Sequence, residues 1–549
     1  ASPISYVTAH WAKSTVHPSV GPAGASRFPT TSMSGSFRAS HPATLLLPAM
    51  RAFFEERWFP RSLLWLVLAL PFLLLSTGQR VLPLAPWIAP LLLLRFTRQQ
   101  PAARGYGLVA AVTTGIISVS WADMVPFGGM SFYAFVAAQG CLIALPYLID
   151  RLIAPRLSAL PATLVFPAAV VVAEYAASFG PFGTWGSAAY TQQNLALLQL
   201  TSVTGIWGIT FLLHWTASVG NSIWEDGLAS PSVRWATGLW GGLLAATLLL
   251  GGARLAWTDP ADTVPVATVV GHHDTASFWR LRQEAENRAA VRDSARAVQR
   301  DYLRRARQAA RAGARLVSWP ETAVPVPRED TAAFLNRARA LAADHDVYLA
   351  MAVNEFPRPD ADRPLQNKVV WIGPDGRRRT EGLKTHLVPG EPGQDGSGTL
   401  PLVSAPAGTW SSAVCFDLDF PSLIRQAGQS GVDLFVAPSN DWAAIAERHA
   451  HMARTRAIEN GMSLLRPASN GVTLATGPLG QTRARTNHFT TQDHVQMAHL
   501  PMEGPSTIYA AVGDVVAWGA GLGLLLLAGG AYARSWSPVR AAPAHSNVT

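Results

Sequence analysis

Cysteine is almost absent: there are 2 in 549 residues, Cys141 and Cys415. Two thiols, one of them inside an apolar segment, cannot build a disulfide framework, which excludes a disulfide-stapled secreted scaffold. Charge is scarce too. Asp, Glu, Lys and Arg make up 14% of the chain against 49% hydrophobic residues, low and high respectively for a soluble protein. The net charge of +9 is modest for this length, and no Lys/Arg-rich run with interleaved aromatics occurs. That argues against a nucleic-acid partner. A long chain so poor in charge points instead to membrane segments.

Residues 1–50 are rich in Ser, Thr, Pro, Ala and Gly without apolar periodicity, which predicts a disordered tail. Met50 stands just before the first apolar run, so much of this tail is expected to be over-called coding sequence. From Ser62 onward the apolar stretches predict eight spanning helices: Ser62–Thr77, Val81–Leu94, Gly107–Trp121, Met130–Ile149, Pro161–Ser178, Leu195–Val219, Trp235–Ala256 and Val515–Ala531. Pro83, Pro86 and Pro90 interrupt the second, leaving a re-entrant or interfacial segment as its alternative. Arginines collect before the first span (Arg51, Arg57, Arg61), after the second (Arg95, Arg98, Arg104), after the fourth (Arg151, Arg156) and after the last (Arg534, Arg540). By the positive-inside rule both termini are expected in the cytoplasm and the large insertion between the seventh and eighth spans outside it. Cys141 reads as a small packing residue, and Trp185, Trp207 and Trp215 as interfacial anchors.

The insertion is polar and mixed. Val264–Gly271 opens it as a strand, a charged helix follows over Trp279–Ala312, and further strands are expected at Val347–Val353, Lys368–Ile372 and Leu434–Ala437. Asp375-Gly376 marks a hairpin turn. This gives one α/β domain, and the division is a tail (1–50), spans one to seven (51–257), a catalytic domain (258–507), span eight (508–533) and a cytoplasmic tail (534–549).

Three segments carry chemistry. Leu316–Pro325 is an apolar strand ending in a carboxylate, Glu321, fixed between prolines. Gly382–Glu391 sets Lys384 at a strand-to-loop boundary. Ser411–Pro421 puts Cys415 at the end of a β-branched and small-residue run, held rigidly yet reachable. A lone cysteine is more often a buried packing residue. With a carboxylate base and a cation it becomes a nucleophile for acyl transfer through a thioester. The order Glu, Lys, Cys, about 60 and then about 30 residues apart, resembles the nitrilase (carbon–nitrogen hydrolase) superfamily. The resemblance implies a four-layer α-β-β-α sandwich for the insertion.

Within that superfamily the eight spans around an external nitrilase-like domain resemble the apolipoprotein N-acyltransferases. Further stretches carry the likeness: Gly115–Trp121, Ala188–Gly208, Trp319-Pro320-Glu321, Lys384–Pro389, Ser439–Trp442 and His449–Glu459. What the resemblance implies is ping-pong transfer. Glu321 deprotonates Cys415, Lys384 stabilises the oxyanion, and a membrane phospholipid donates its sn-1 acyl chain. The N-terminal amine of a diacylglyceryl apolipoprotein accepts it. Glu391 resembles the family's second glutamate, and Trp279 a tryptophan near the active site; Phe416 and Asp417 stand where substrate-contacting or supporting residues are expected. The implied partners are the lipid donor, the apolipoprotein and the bilayer, with no cofactor and an inner-membrane location.

The chain also departs from that family. Cys415-Phe416-Asp417 stands where Cys-Tyr-Glu is usual, Glu391 sits one residue early, and the first strand ends in Val-Val-Gly-His-His-Asp. These changes fall around the substrate pocket, so the alternatives are a membrane-tethered amidase or an acyltransferase for another amine; a scaffold without turnover is disfavoured by the intact Glu321, Lys384 and Cys415. His272-His273-Asp274 and His449-x-His451 lack a third metal ligand, and the chemistry needs no metal. Arg454, Arg456 and Glu459 read as structural ion pairs, and Asn440 and Asp441 as residues that order the loop around the site. The four glycines of Gly390–Gly398 suggest a lid hinge.

Overall fold

A computed structural model describes residues 61–258, 262–271, 278, 280–282, 288–358, 363–491 and 493–536. The expected N-terminal tail, Trp279 and His272-His273-Asp274 lie outside the described residues.

Helices form where the apolar runs predict them: α1 (Arg61–Ser76), α2 (Ala85–Arg98), α3 (Ala102–Ser120), α4 (Gly129–Ile153), α5 (Ala159–Ala177), α6 (Ile206–Asp226), α7 (Pro231–Trp257) and, after the insertion, α12 (Val515–Trp536). Length and composition alone qualify five as spans: α3, α4, α5, α7 and α12. Helix α6 is a sixth if the segment Leu195–Thr204, bent from it by 118°, is counted with it. The expected single span Leu195–Val219 is therefore broken. Gly205 adopts φ +61° at the break, and a Cβ there would meet the Tyr509 ring at 2.5 Å. With 14 residues, α2 reaches only about 21 Å at the helical rise, short of a ~30 Å hydrocarbon core; α1 has 16 described residues. The count of eight spans is thus an upper reading of these helices.

The helices run alternately up and down. At one end the C-termini of α2, α4 and α6 are tied by Arg98–Asp150 (3.0 Å) and Arg95–Glu225 (2.8 Å). At the other, Trp121 donates to Thr77 (2.7 Å) and the insertion docks, with Trp442 Nε1 donating to the Asp123 carbonyl and Arg448 to the Trp185 carbonyl (both 2.6 Å). Two expectations fail here. Cys141 is exposed on the outward face of α4 rather than packed. Trp185, Trp207 and Trp215 are buried, not interfacial, because interior partners satisfy them: Trp207 donates to Asp514 (2.7 Å), Trp215 to Thr163 (3.1 Å), and the Arg448 guanidinium lies over Trp185.

The insertion is two sheets face to face. One has the order β15-β1-β2-β4-β5-β6, with β3 also paired to β4; the other runs β14-β13-β11-β9-β8-β7. The first contains β1 (Thr263–Val270), β2 (Leu316–Ser318), β3 (Val324–Pro327), β4 (Tyr348–Phe356), β5 (Gln366–Ile372), β6 (Arg378–Leu383) and β15 (His494–Pro501). The second contains β7 (Leu402–Ala405), β8 (Gly408–Ser412), β9 (Leu434–Val436), β11 (Ser463–Arg466), β13 (Val472–Thr476) and β14 (Thr482–Asn487). A short pair, β10 (Ser439–Asn440) with β12 (Ala468–Ser469), closes one end.

Period-two alternation sends neighbouring side chains to opposite faces. Val266, Trp371, Trp410 and Leu434 fill the layer between the sheets. Ala267, Val269 and Val317 instead meet α8 (Arg288–Arg311) and α9 (Thr331–Asp344) outside the first sheet. Phe435 and Ala437 meet α10 (Pro421–Gln429) and α11 (Ala446–Asn460) outside the second. The result is the α-β-β-α sandwich.

Candidate active site

Three strand ends converge. Because β6 is antiparallel to β5, and β5 to β4, strands β2, β4 and β6 point the same way. Glu321 follows β2 by three residues, Lys384 follows β6 directly, and Cys415 follows β8 in the facing sheet, opening a 3-10 turn. All three predicted residues therefore meet at one end of the sandwich, and it is the end that docks on the helices.

Lys384 Nζ donates to Glu321 Oε1 (2.8 Å) and to Glu391 Oε2 (2.6 Å). Glu321 also accepts from Asn367 Nδ2 (2.7 Å) and from the Asn440 backbone N–H (3.0 Å). Glu391 stands where it was expected despite the shortened loop. Gly390 adopts φ +91°, and a turn closed by Glu391 N–H on the Val388 carbonyl (2.7 Å) swings the carboxylate back onto the lysine. Within the predicted lid segment, Gly396 N–H donates to the Lys384 carbonyl (2.8 Å), so that stretch is pinned to the end of β6.

The backbone is strained where chemistry is expected. Cys415 (φ +49°) and Thr322 (φ +56°), next to Glu321, both sit in the left-handed region that side chains avoid at a cost of about 1–2 kcal/mol each. Several bonds hold them there. Cys415 N–H donates to the Pro438 carbonyl (2.9 Å), and Thr322 Oγ1 accepts from Asn440 Nδ2 (2.9 Å). Asp417 accepts from the N–H groups of Val414 (3.0 Å), Thr385 (3.0 Å) and His386 (2.7 Å). It thus couples the cysteine turn to the lysine loop. Phe416 packs edge-on against Phe420 and faces Phe182 of the helical domain.

Burial governs the electrostatics. Glu321 and Lys384 are 3% and 2% exposed. Desolvation lifts the Glu321 carboxyl above its ordinary range, opposed by the Lys384 charge. For Lys384, burial opposes the charge, but Glu321 and Glu391 outweigh it and hold the ammonium well above the usual lysine value. Burial and the Glu321 charge push the Cys415 thiol up to about 11, while His449 and Lys384 pull it down.

His449 is the residue that sequence reasoning missed as part of the site. Its Nδ1 lies 2.7 Å from Asp441 and its Nε2 3.2 Å from Asp419. Cys415 Sγ, a His449 ring nitrogen and an Asp441 oxygen all lie within 4.8 Å of one another. Sequence alone did not reveal that Cys415 and Asp441 gather around His449. Asp441, however, already accepts from Arg466 through both oxygens (3.0 and 2.8 Å), so the group is knit as ion pairs. His451 turns away to Arg454 (3.0 Å). The signal for His449 lay in the His449–Glu459 stretch, where only its tertiary neighbours give the histidine meaning.

Inside the helical domain is a cavity of about 440 Å³. Phe182, Gly183, Thr184 and Trp185 form part of its wall, with Glu174 and Arg448 beside them. That wall is bonded to the cysteine turn through Thr184 N–H and the Asp419 carbonyl (2.9 Å), and a Cβ on Gly183 would strike the same carbonyl at 2.4 Å.

Both halves of the chain match known families. Residues 266–508 match the carbon-nitrogen hydrolase family, and residues 66–219 match the apolipoprotein N-acyltransferase N-terminal domain. The chain joins an apolipoprotein N-acyltransferase N-terminal domain to a carbon-nitrogen hydrolase domain. Its relatives agree along most of their length. An apolipoprotein N-acyltransferase of Geobacter metallireducens is 27% identical over 82% of this chain and 91% of its own. One of Methylococcus capsulatus is 28% identical over 83% and 93%. Among solved structures, a Nesterenkonia amidase of the nitrilase superfamily aligns with 20% identity and a TM-score of 0.34, over 45% of this chain and 93% of its own. Relatives of that one name thus span the helical domain and the sandwich together.

Proposed function

We propose that the protein is a phospholipid:apolipoprotein N-acyltransferase of the bacterial inner membrane. The observation that carries this reading is the buried Glu321–Lys384–Cys415 cluster at the end of the sandwich that docks on the apolar helices, beside their internal cavity. An amidase for small soluble substrates needs neither that orientation nor the cavity.

The chemistry runs in two halves. The Cys415 thiol has little standing thiolate at neutral pH, so its proton passes to Glu321 as Sγ attacks the sn-1 ester carbonyl of a phospholipid. Two of the three Lys384 N–H donors go to carboxylates, and the third meets the developing oxyanion. Cys415 N–H is engaged by Pro438, so the backbone donor is the N–H of Phe416. The intermediate collapses, the C–O bond breaks, and the lysophospholipid oxygen takes the proton back from Glu321. The amine of a diacylglyceryl-cysteine then attacks the thioester, passes a proton to Glu321 and leaves as the amide while the thiol is restored.

The basic helix ends lie opposite the docked sandwich, which supports an extracytoplasmic catalytic domain over 258–507, flanked by spans over 51–257 and 508–533. The test is the intact mass of detergent-purified protein after incubation with phosphatidylethanolamine, beside Cys415→Ala. A hydroxylamine-labile acyl adduct in the wild type alone, discharged by a diacylated lipopeptide, is expected. Absence of the adduct with the fold intact overturns the reading, and discharge by water at an equal rate moves it to the amidase.

A further inference from the structure

The Glu321–Lys384–Cys415 chemistry leaves a second buried charge cluster unused beside the sulfur. Four separate elements build it. His449 lies on α11, Asp441 just past β10, Asp419 at the end of the cysteine turn and Arg466 on β11; all four are at most 3% exposed. Asp441 grips the Nδ1 side of the imidazole at 2.7 Å and is itself locked by Arg466. At the other side, Nε2 and both Asp419 oxygens are buried without a hydrogen-bond partner of good geometry, although Nε2 is 3.2 Å from Asp419. Buried polar atoms in that condition call for an explanation. The Cys415 sulfur lies within 4.8 Å of a His449 ring nitrogen and donates to the Asn440 carbonyl (3.9 Å), while Arg466 Nη2 is 3.2 Å from Nδ1.

We propose that His449 is held as an imidazolium by Asp441 and Asp419 and serves as a second counter-ion to the Cys415 thiolate. The inference rests on Cys415 being the nucleophile. The charged groups around the ring are Asp441, Asp419 and Arg466, with Arg448 beside Asp419; those around the sulfur are Glu321, Lys384 and His449. Burial favours a neutral ring, but the two aspartates outweigh it and keep the imidazole protonated well above its usual range. Lys384 is already bonded to two carboxylates, which weakens the field it can offer the sulfur. A second cation facing the thiolate adds to that field and lowers the energy of each state in which sulfur carries charge: attack, collapse and the final departure from the amide.

Thiol reactivity tests this without substrate. In a Cys141→Ser background Cys415 is the only cysteine. Alkylation by iodoacetamide is followed by intact mass from pH 7 to 11 for that protein, for His449→Gln and for Asp441→Asn. Both variants are expected to alkylate about tenfold more slowly at pH 8, the signature of one lost charge interaction. A purely structural histidine would leave the profile of a well-folded variant unmoved, and that result overturns the proposal. If neither variant elutes from gel filtration as its parent does, the cluster is structural and the counter-ion role is rejected. The phosphatidylethanolamine adduct is measured alongside. Adduct formation with unmoved alkylation rejects the inference alone, whereas a moved profile without adduct rejects the acyltransfer reading alone.

Discussion

A lysine can remain charged where water scarcely reaches only if carboxylates compensate it, and Lys384 has two. The arrangement sets the pH behaviour of acylation. On the proposed mechanism Glu321 must be ionised to take the thiol proton, and its carboxyl is raised by burial and by the nearby Glu391 charge. The rate of adduct formation should therefore fall as pH drops through a value above the ordinary carboxylate range, while Lys384 stays charged throughout. Glu391→Gln removes a negative neighbour, so the acid limb should move to lower pH; the plateau should fall about tenfold as the lysine loses one anchor. Glu321→Gln should abolish the limb and slow acylation by about 10²–10⁴. A single-turnover pH profile of the adduct checks both. These residues were legible because each ends a recognisable strand and because lysine is rare, Lys13, Lys368 and Lys384 being the only three. The His449 cluster was not, since its members come from four elements and gain meaning only as neighbours.

Helix α11 shows how one element serves both domains. On one face Ala453 and Ala457 pack beneath the second sheet, while Met452 and Ile458 enter the core of the helical domain. Between them Arg456 pairs with Glu459 and reaches the Tyr190 hydroxyl, all buried. The Glu459 carboxylate lies by the Ile206 N–H at the start of α6, where a negative charge suits the helix dipole. The structural ion pair expected from the spacing is thus also the hinge pin of the docked domains. Burial pushes Glu459 up to about 7 even with Arg456 present. Arg456→Met should therefore cost about 3–5 kcal/mol by stranding the carboxylate, and Arg456→Met with Glu459→Met should recover much of it. A carboxyl raised on folding stabilises below its unfolded value and loses that contribution as pH rises through its folded value. The single variant should consequently be least impaired near pH 4 and most impaired above pH 7, in thermal melts of the detergent-purified protein. The α6 boundary was misread for a related reason. Gly205 looks like one more small residue in an apolar run, and only the Tyr509 ring against it makes the bend obligatory.

At the scale of the whole molecule, orientation follows from which ends are charged. The C-termini of α2, α4 and α6 carry Arg95 and Arg98 with their acidic partners and Arg151, which donates to the Gln100 carbonyl, and α12 ends near Arg534. The opposite ends carry the sandwich, its site turned toward the helices. Outward faces are strongly apolar, with Leu249 and Leu525 each 72% exposed, as a lipid-facing surface requires. Arg95 and Arg98 are partly neutralised by Glu225 and Asp150, but the positive-inside bias counts lysine and arginine rather than net charge. The basic ends should then lie in the cytoplasm and the sandwich outside it. Single cysteines in the Cys141→Ser background test this at two exposed turns: Asp375→Cys, between β5 and β6 and far from the docked end, and Ala229→Cys, between α6 and α7 at the basic end. In spheroplasts an impermeant maleimide should label the first directly and the second only after permeabilisation. The reverse pattern would put the catalytic cluster on the cytoplasmic side, where a chain with this site could not meet lipoproteins after their export.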